Sequence, residues 1–208
     1  MKPTADMSRE ELIDFALNSP EAAAELERRY RSIVAVLVVD FSSMRARTDA
    51  FGIVHTLSTI RAAIRAYDPA IEANGGVPVK TVADTVFATF DAPEHALMAA
   101  LDGNRRMRIF NADRDGDICK RIPHAPIHPK TGLGFGSALV FPDENLYGSE
   151  VNRAFILGED VGDHYEILAS DDFSTALGTP PAGVGAHAAP HDREMEAGFP
   201  FHIYTDFR

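Results

Sequence analysis

The run from Ile33 to Phe41, IVAVLVVDF, limits what this chain can become more than any other stretch. It is continuous, apolar and rich in β-branched side chains. It has no polar face to offer water and suits a strand buried on both sides better than an exposed helix. Such a strand belongs in the middle of a sheet. Its one charge, Asp40, falls at the end, where the chain leaves the buried layer.

The rest of the sequence supplies the layers that strand needs. Between Ser8 and Arg31, Leu12, Ile13, Phe15, Ala16, Ala23, Leu26 and Tyr30 recur at helical spacing behind a Ser8/Glu11 capping box. That pattern predicts one or two helices, broken near Pro20. From Thr48 to Ala73 the period is again helical, through Phe51, Val54, Leu57, Ile60, Ile64, Tyr67 and Ile71, and Gly75-Gly76 stops it. Val77 to Val82 and Thr85 to Phe90 are β-prone runs separated only by Ala83-Asp84, the spacing of a tight hairpin that places Asp84 at its turn. Pro93 to Phe110 is helical and runs into an exposed loop rich in Asp, Arg, Pro and His. A strand over Thr131 to Phe141 with glycines at 132, 134 and 136, a helix over Gly148 to Glu159 and a strand over Tyr165 to Ala169 follow. Gly183 to His187 and Phe199 to Tyr204 read as antiparallel edge strands. This order predicts an α+β fold, an antiparallel sheet with helices on one face in the ferredoxin-like or polymerase-palm manner. At this length one globule with an appendage is expected: an N-terminal helical segment over 1–31 and the main domain over 32–208.

Charge and cysteine usage narrow the partners. With 31 acidic against 20 basic side chains the formal charge is −11, which repels nucleic acid and anionic membranes. Cys119 is alone, so no internal disulfide forms, and the first thirty or so residues lack a secretory layout. The expectation is a cytoplasmic protein. The longest apolar run, Ile33 to Val39, falls far short of the roughly 20 residues that cross a bilayer.

Asp40 at a strand end and Asp84 in a hairpin turn can converge although 44 positions separate them. Two such carboxylates can hold Mg²⁺, which takes hard oxygen ligands together with substrate phosphates. Taken alone, the pair also fits an ordinary cap and an ordinary turn residue, since strand ends and turns are where Asp usually lies.

The surrounding text decides between these. VLVVDFSSM, then NGGVPVKTVADTVFATF, then GLGFGSALVFPDENLYGSEVNRAFILGED resemble, in order and spacing from Ile33 to Ser170, the class III adenylyl/guanylyl cyclases. The matched positions are Asp40, Gly75, Gly76, Lys80, Asp84, Ala88 and Phe90, then the glycine-rich strand and the Gly-x-x-Val-Asn helix. The resemblance implies that Asp40, Asp84 and the Phe41 carbonyl bind two Mg²⁺ or Mn²⁺ ions. It also implies that Phe41, Ser42, Ser43 and Met44 form a turn whose amides meet a triphosphate. Lys80 falls on the base-reading lysine, which favours ATP over GTP, although a solvated strand lysine is the alternative. Asn152 falls on the asparagine that orients the ribose; the alternative is a helix-surface amide. A homodimer is implied, because in the family the two halves of the site come from opposite subunits.

Two positions depart from the pattern. The second base-reading residue, usually Asp in adenylyl cyclases, is Asn145, whose amide can still bond a base edge. The transition-state Arg or Lys four residues after the asparagine is Ile156, and losing such a donor typically lowers a rate about 10²–10³-fold. Arg153 is the candidate substitute, about 100° round the helix from Asn152. The expected activity is conversion of ATP to cyclic AMP and pyrophosphate; a catalytically silent nucleotide-binding or regulatory module is the alternative. Asn111, Asp113, Asp115, Gly116 and Ile118 imitate part of a calcium loop, but Ile122 stands where its bidentate Glu belongs. His124, His128 and Cys119 read as ordinary loop residues.

Overall fold

In a computed structural model, residues 4–42, 44–112, 126–141 and 145–207 are described. Eight strands form one sheet in the order β2-β3-β1-β4-β6-β8-β7, with β5 paired to β4. The strands are β1 (Arg31–Phe41), β2 (Val77–Val82), β3 (Thr85–Phe90), β4 (Pro129–Val140), β5 (Leu146–Tyr147), β6 (Ile167–Ser170), β7 (Val184–Ala188) and β8 (Phe201–Asp206). The β-branched run is central, with β3 and β4 antiparallel on either side of it. The sheet is mixed rather than wholly antiparallel, because β4 pairs with β6 in parallel.

The helices are α1 (Arg9–Ala16), α2 (Pro20–Tyr30), α3 (Met44–Phe51), α4 (Ile53–Ala73), α5 (Pro93–Ala112), α6 (Ser149–Phe155), α7 (Asp171–Leu177) and α8 (His191–Ala197). The capping box at Ser8 and the break before Pro20 are present. The expected helix from Thr48 starts earlier and divides at Gly52, whose φ of 84° no helix tolerates.

Helices cover both faces of the sheet, where one face was expected. Alternation along β1 sends Ala35, Leu37, Val39 and Phe41 into a core with Tyr67 and Ile71 of α4, Leu97 and Leu101 of α5 and Phe173 of α7. Val36 and Val38 point the other way and pack with Val151 and Ala154 of α6. A separate small cluster joins Leu12, Ala22 and Leu26 of α1 and α2 to Phe141, just beyond β4.

Glycines let α6 lie against the sheet. A Cβ on Gly132 would stand 2.0 Å from the Ala154 carbonyl oxygen, and one on Gly134 would stand 2.3 Å from that of Glu150. After α6 the helix loosens into a π-helical turn, Ile156–Val161, whose Gly158 rests on the backbone of β1 and β4. Single π-turns of this kind mark functional sites often. Gly132→Ala should therefore push α6 off the sheet and destabilise the protein by about 1–3 kcal/mol, the usual range for overpacking. Urea unfolding checks this, and an unchanged midpoint would contradict the close packing.

Candidate active site

The site forms where β1 runs out. Register puts Thr85 of β3 and Lys130 of β4 directly opposite Asp40, one on each side. Opposed residues of an antiparallel pair present their side chains to the same face. Thr85, Asp40 and Lys130 thus make a row on the α6 side, the side to which Val36 and Val38 also point. The π-helical turn closes over this row. Thr85 Oγ1 donates to Glu159 Oε1 at 2.9 Å, and Lys130 Nζ donates to the Glu159 carbonyl at 2.6 Å. The same ammonium lies 2.8 Å from Asp40 Oδ2.

Asp84 occupies the β2–β3 turn as expected. The preceding Ala83 has φ 54°, the left-handed backbone that a two-residue hairpin demands and that a residue with a Cβ adopts at a cost. Phe41 donates its N–H to the Asp84 carbonyl at 3.3 Å. In an antiparallel strand a residue's N–H and C=O face the same neighbour, so the Phe41 carbonyl also faces that turn. Burial, and after it the Asp40 charge, hold the Asp84 carboxyl above the ordinary carboxylate range, with Lys130 acting in the opposite sense. Two carboxylates and a carbonyl suit Mg²⁺ or Mn²⁺ in the kind of oxygen donor they offer. Among the described residues no group of three or more His, Cys, Asp or Glu side chains is placed to hold a metal. A cation here would draw its remaining ligands from a phosphate and water, the usual habit of Mg²⁺.

The other expected residues are placed as follows. The N–H of Phe41 is taken by Asp84, and that of Ser42 donates to the His128 carbonyl at 3.0 Å, so neither amide is free for a phosphate. Ser43 lies outside the described residues. Met44 is not a turn residue but the first residue of α3, where the first-turn N–H groups have no partner within the helix. Lys80 of β2 and Asn145, ahead of β5, are brought together: Lys80 Nζ donates to Asn145 Oδ1 at 2.6 Å. That leaves the Asn145 NH₂ as the donor for a ligand. Asn152 is exposed on α6.

Arg153 is engaged elsewhere. Its Nη1 donates to Glu150, and to Asp172 Oδ2 at 2.8 Å, while its guanidinium carbon lies 5.5 Å from the centre of the Phe199 ring. Ile156 packs against the cluster of Leu157, Val161, Leu168 and Phe201. The calcium-loop residues Asp113, Asp115, Gly116, Ile118 and Ile122, with Cys119 and His124, lie outside the described residues. Asn111 bonds to Ile127 and Tyr165 instead. The His128 ring stacks on His164 at 4.4 Å.

Sequence reading passed over three residues. Lys130 and Glu159 matter only through register and through the π-turn, neither of which leaves a local pattern. Glu150, inside the Gly-x-x-Val-Asn block, is buried and accepts from Ser170 Oγ, from Arg153 and from the Phe135 N–H. Its burial depends on how closely the glycines of β4 let α6 approach, which the local sequence does not display.

No protein-family model matches the sequence, and no curated relative matches it. Solved structures do. The adenylyl cyclase CyaB from P. aeruginosa is similar with a TM-score of 0.68 and 18% identity, over 86% of this chain and 96% of that one. The adenylate/guanylate cyclase/hydrolase from Silicibacter pomeroyi gives 0.66 and 22%, over 86% and 98%. The guanylate cyclase domain of RhGC from Catenaria anguillulae, solved with GTP, gives 0.61 and 17%, over 86% and 98%. The chain has the fold of the class III adenylyl/guanylyl cyclase catalytic domains. No helix among the described residues is long and apolar enough to cross a membrane.

Asp84 contributes to the pH response of the metal-free protein. A carboxyl raised in the folded state binds its proton more tightly there than in the unfolded chain. The stability tied to that proton is complete below the unfolded range and is lost as pH rises through the raised folded value. Asp84→Asn should therefore melt at or above the wild-type temperature at pH 7 in chelator, with a flatter profile between mildly acidic and neutral pH. A variant that melts lower at pH 7 would overturn this account of the turn.

Proposed function

We propose that the protein is a nucleotide cyclase that turns ATP into cyclic AMP and pyrophosphate in a homodimer, with residues 32–208 as the catalytic domain and 1–31 as a helical appendage. The observation that carries this is that strand register and the Phe41 N–H to Asp84 carbonyl bond bring Asp40 and the Asp84 turn to one end of the sheet, in a fold shared with cyclase domains.

Each residue has a defined task. Asp40, Asp84 and the Phe41 carbonyl would hold two Mg²⁺ or Mn²⁺ ions. Such ions, when bound, lower the pKa of the ribose 3′-hydroxyl and neutralise the triphosphate. The first-turn amides of α3, from Met44 onward, take the phosphates together with that of Ser43; Phe41 and Ser42 shape the turn before them. Lys80 donates to adenine N1, and Asn145, fixed through its oxygen by Lys80, bonds the neighbouring base edge. Asn152 of the partner subunit orients the ribose so that the 3′-oxygen attacks the α-phosphorus in line with the departing pyrophosphate. GTP is the second substrate, because guanine carries N1–H where Lys80 needs an acceptor. The negative balance, −11, speaks against nucleic acid and anionic membranes as partners, and the lone Cys119 fits a cytoplasmic site of action.

A second reading has its own observation. With Ile156 in an apolar cluster and Arg153 tied to Glu150 and Asp172, no cation is held at the helix position where the family has one. A silent nucleotide-binding module would look like this.

Asp40→Ala and Asp84→Ala should each abolish Mn²⁺-dependent ATP binding while leaving the melting profile cooperative; calorimetry with a non-reacting ATP analogue checks both. GTP should bind more weakly than ATP by about 1–3 kcal/mol, the scale of one unpaired buried polar group. In a cyclic-nucleotide assay, Ile156→Arg should raise turnover about 10–100-fold and leave ATP affinity nearly unchanged, because the new charge acts on the transition state. Background product from wild type and variant alike would favour the silent module.

A further inference from the structure

Lys130 has no task in the reaction proposed above, yet it sits against one of its two carboxylates. Its side chain is 16% exposed, about as enclosed as the 17% of the Asp40 it pairs with. Two oxygens of different origin receive its ammonium, Asp40 Oδ2 at 2.8 Å and the Glu159 carbonyl at 2.6 Å. Glu159 lies in the π-helical turn that ends at Val161, among the carbonyls that a helix end leaves without a partner inside the helix. Such an end carries the negative pole of the helix dipole and favours a cation. Gly162 closes behind: a Cβ there would lie 3.4 Å from Lys130 Cβ, so the stem of the lysine is flanked by backbone. The result is a cation slot made by a carboxylate and a helix C-terminus, filled by the protein itself.

The type of residue fits a filling that can be exchanged. An ammonium on a four-carbon stem makes point contacts and can leave without breaking a bidentate fork, as an arginine would have to. One ammonium beside two carboxylates also leaves this corner one positive charge short.

We propose that Lys130 is the resident cation of the metal site: its ammonium occupies the slot between Asp40 and the Glu159 carbonyl until a divalent ion displaces it. Metal binding is then an exchange of one charge for two. This rests on the assignment of Asp40 and Asp84 as metal carboxylates.

The test uses the full chain and Mn²⁺ alone, without nucleotide, with free Mn²⁺ followed by electron paramagnetic resonance. Lys130→Met and Lys130→Gln remove both the competitor and its charge. They should bind Mn²⁺ roughly two- to fivefold more tightly than wild type, the scale of one partly exposed ion pair. Lys130→Arg keeps the charge and should stay near wild type, and Asp40→Ala should lose Mn²⁺. In chelator, Lys130→Met should melt below wild type, and Mn²⁺ should raise its melting temperature by more than it raises that of wild type. If Lys130→Met does not fold, Lys130→Gln carries the measurement, because its shorter, neutral amide keeps a polar side chain at that position without the charge. Equal or weaker Mn²⁺ affinity in the Met or Gln variant, with Asp40→Ala still impaired, would reduce Lys130 to a structural ion pair and leave the metal assignment standing. Wild-type Mn²⁺ affinity in Asp40→Ala would remove the metal assignment and this proposal together.

Discussion

Burial of β1 on both faces is the constraint from which the rest of this structure follows. Its side chains from Ala35 to Val39 are fully enclosed, and a strand in that position can show polarity only where it leaves the sheet. Asp40 is that exit. Covering one face takes α4 and α5, long helices whose apolar stripes the sheet can bury. Covering the other takes α6, which is short and must come close. That approach is possible because Gly132, Gly134 and Gly158 place no side chain between helix and strands. The glycine-rich strand is thus a packing device first. Its consequence for chemistry is that the π-turn after α6 is delivered directly over the row of Thr85, Asp40 and Lys130.

Electrostatics at this corner is unbalanced by design of the backbone. The β2–β3 turn holds Asp84 near Asp40 through the Phe41 to Asp84 hydrogen bond, although like charges brought together raise the energy of the ionised pair. A protein that only needed to pack would gain by exchanging Asp84 for an amide, since Asp40 at least has Lys130 as a partner. Lys130 relieves part of the repulsion, and it does so from the one position on β4 that register places across from Asp40. Among the described residues, both carboxylates are kept at this corner with the Lys130 ammonium paired to one of them.

How much of this was legible in the sequence depended on the range over which each feature is encoded. β1, α4 and the hairpin carry their own periodicities and stop signals, so their existence and the placing of Asp40 and Asp84 could be read locally. The division at Gly52 could not, because an apolar period carries across a single glycine. The seven-residue helices α7 and α8 are too short to show a period, and both went unread. Which faces the helices cover depends on crossover geometry, and the parallel pairing of β4 with β6 likewise has no local signature. Lys130 is the clearest case. It is 90 residues from Asp40, and only the antiparallel register makes the two neighbours. That two of the amides expected to meet phosphate, those of Phe41 and Ser42, have backbone partners was hidden for a related reason. The sequence shows a turn after Asp40, but not that His128 returns to pair with Ser42.

The state of Arg153 bears on what the missing cation means. Glu150 is buried, and its oxygens accept from Ser170, from the Phe135 N–H and from Arg153. Drawing Arg153 away toward a substrate would leave that buried carboxylate without the cationic partner it has among the described residues, a cost that the partial exposure of the arginine reduces but does not remove. Asp172 adds a second hold on the same guanidinium. Arg153 is therefore better understood as the bolt that fixes α6, and with it Asn152, to the sheet through β6 and the start of α7. Position 156 is different. Its side chain is only partly enclosed, at the rim of an apolar cluster, where a long basic side chain could lie along the apolar surface and carry its charge outward. A basic side chain at 156 would therefore displace no fully buried core residue, which is what separates that position from Arg153.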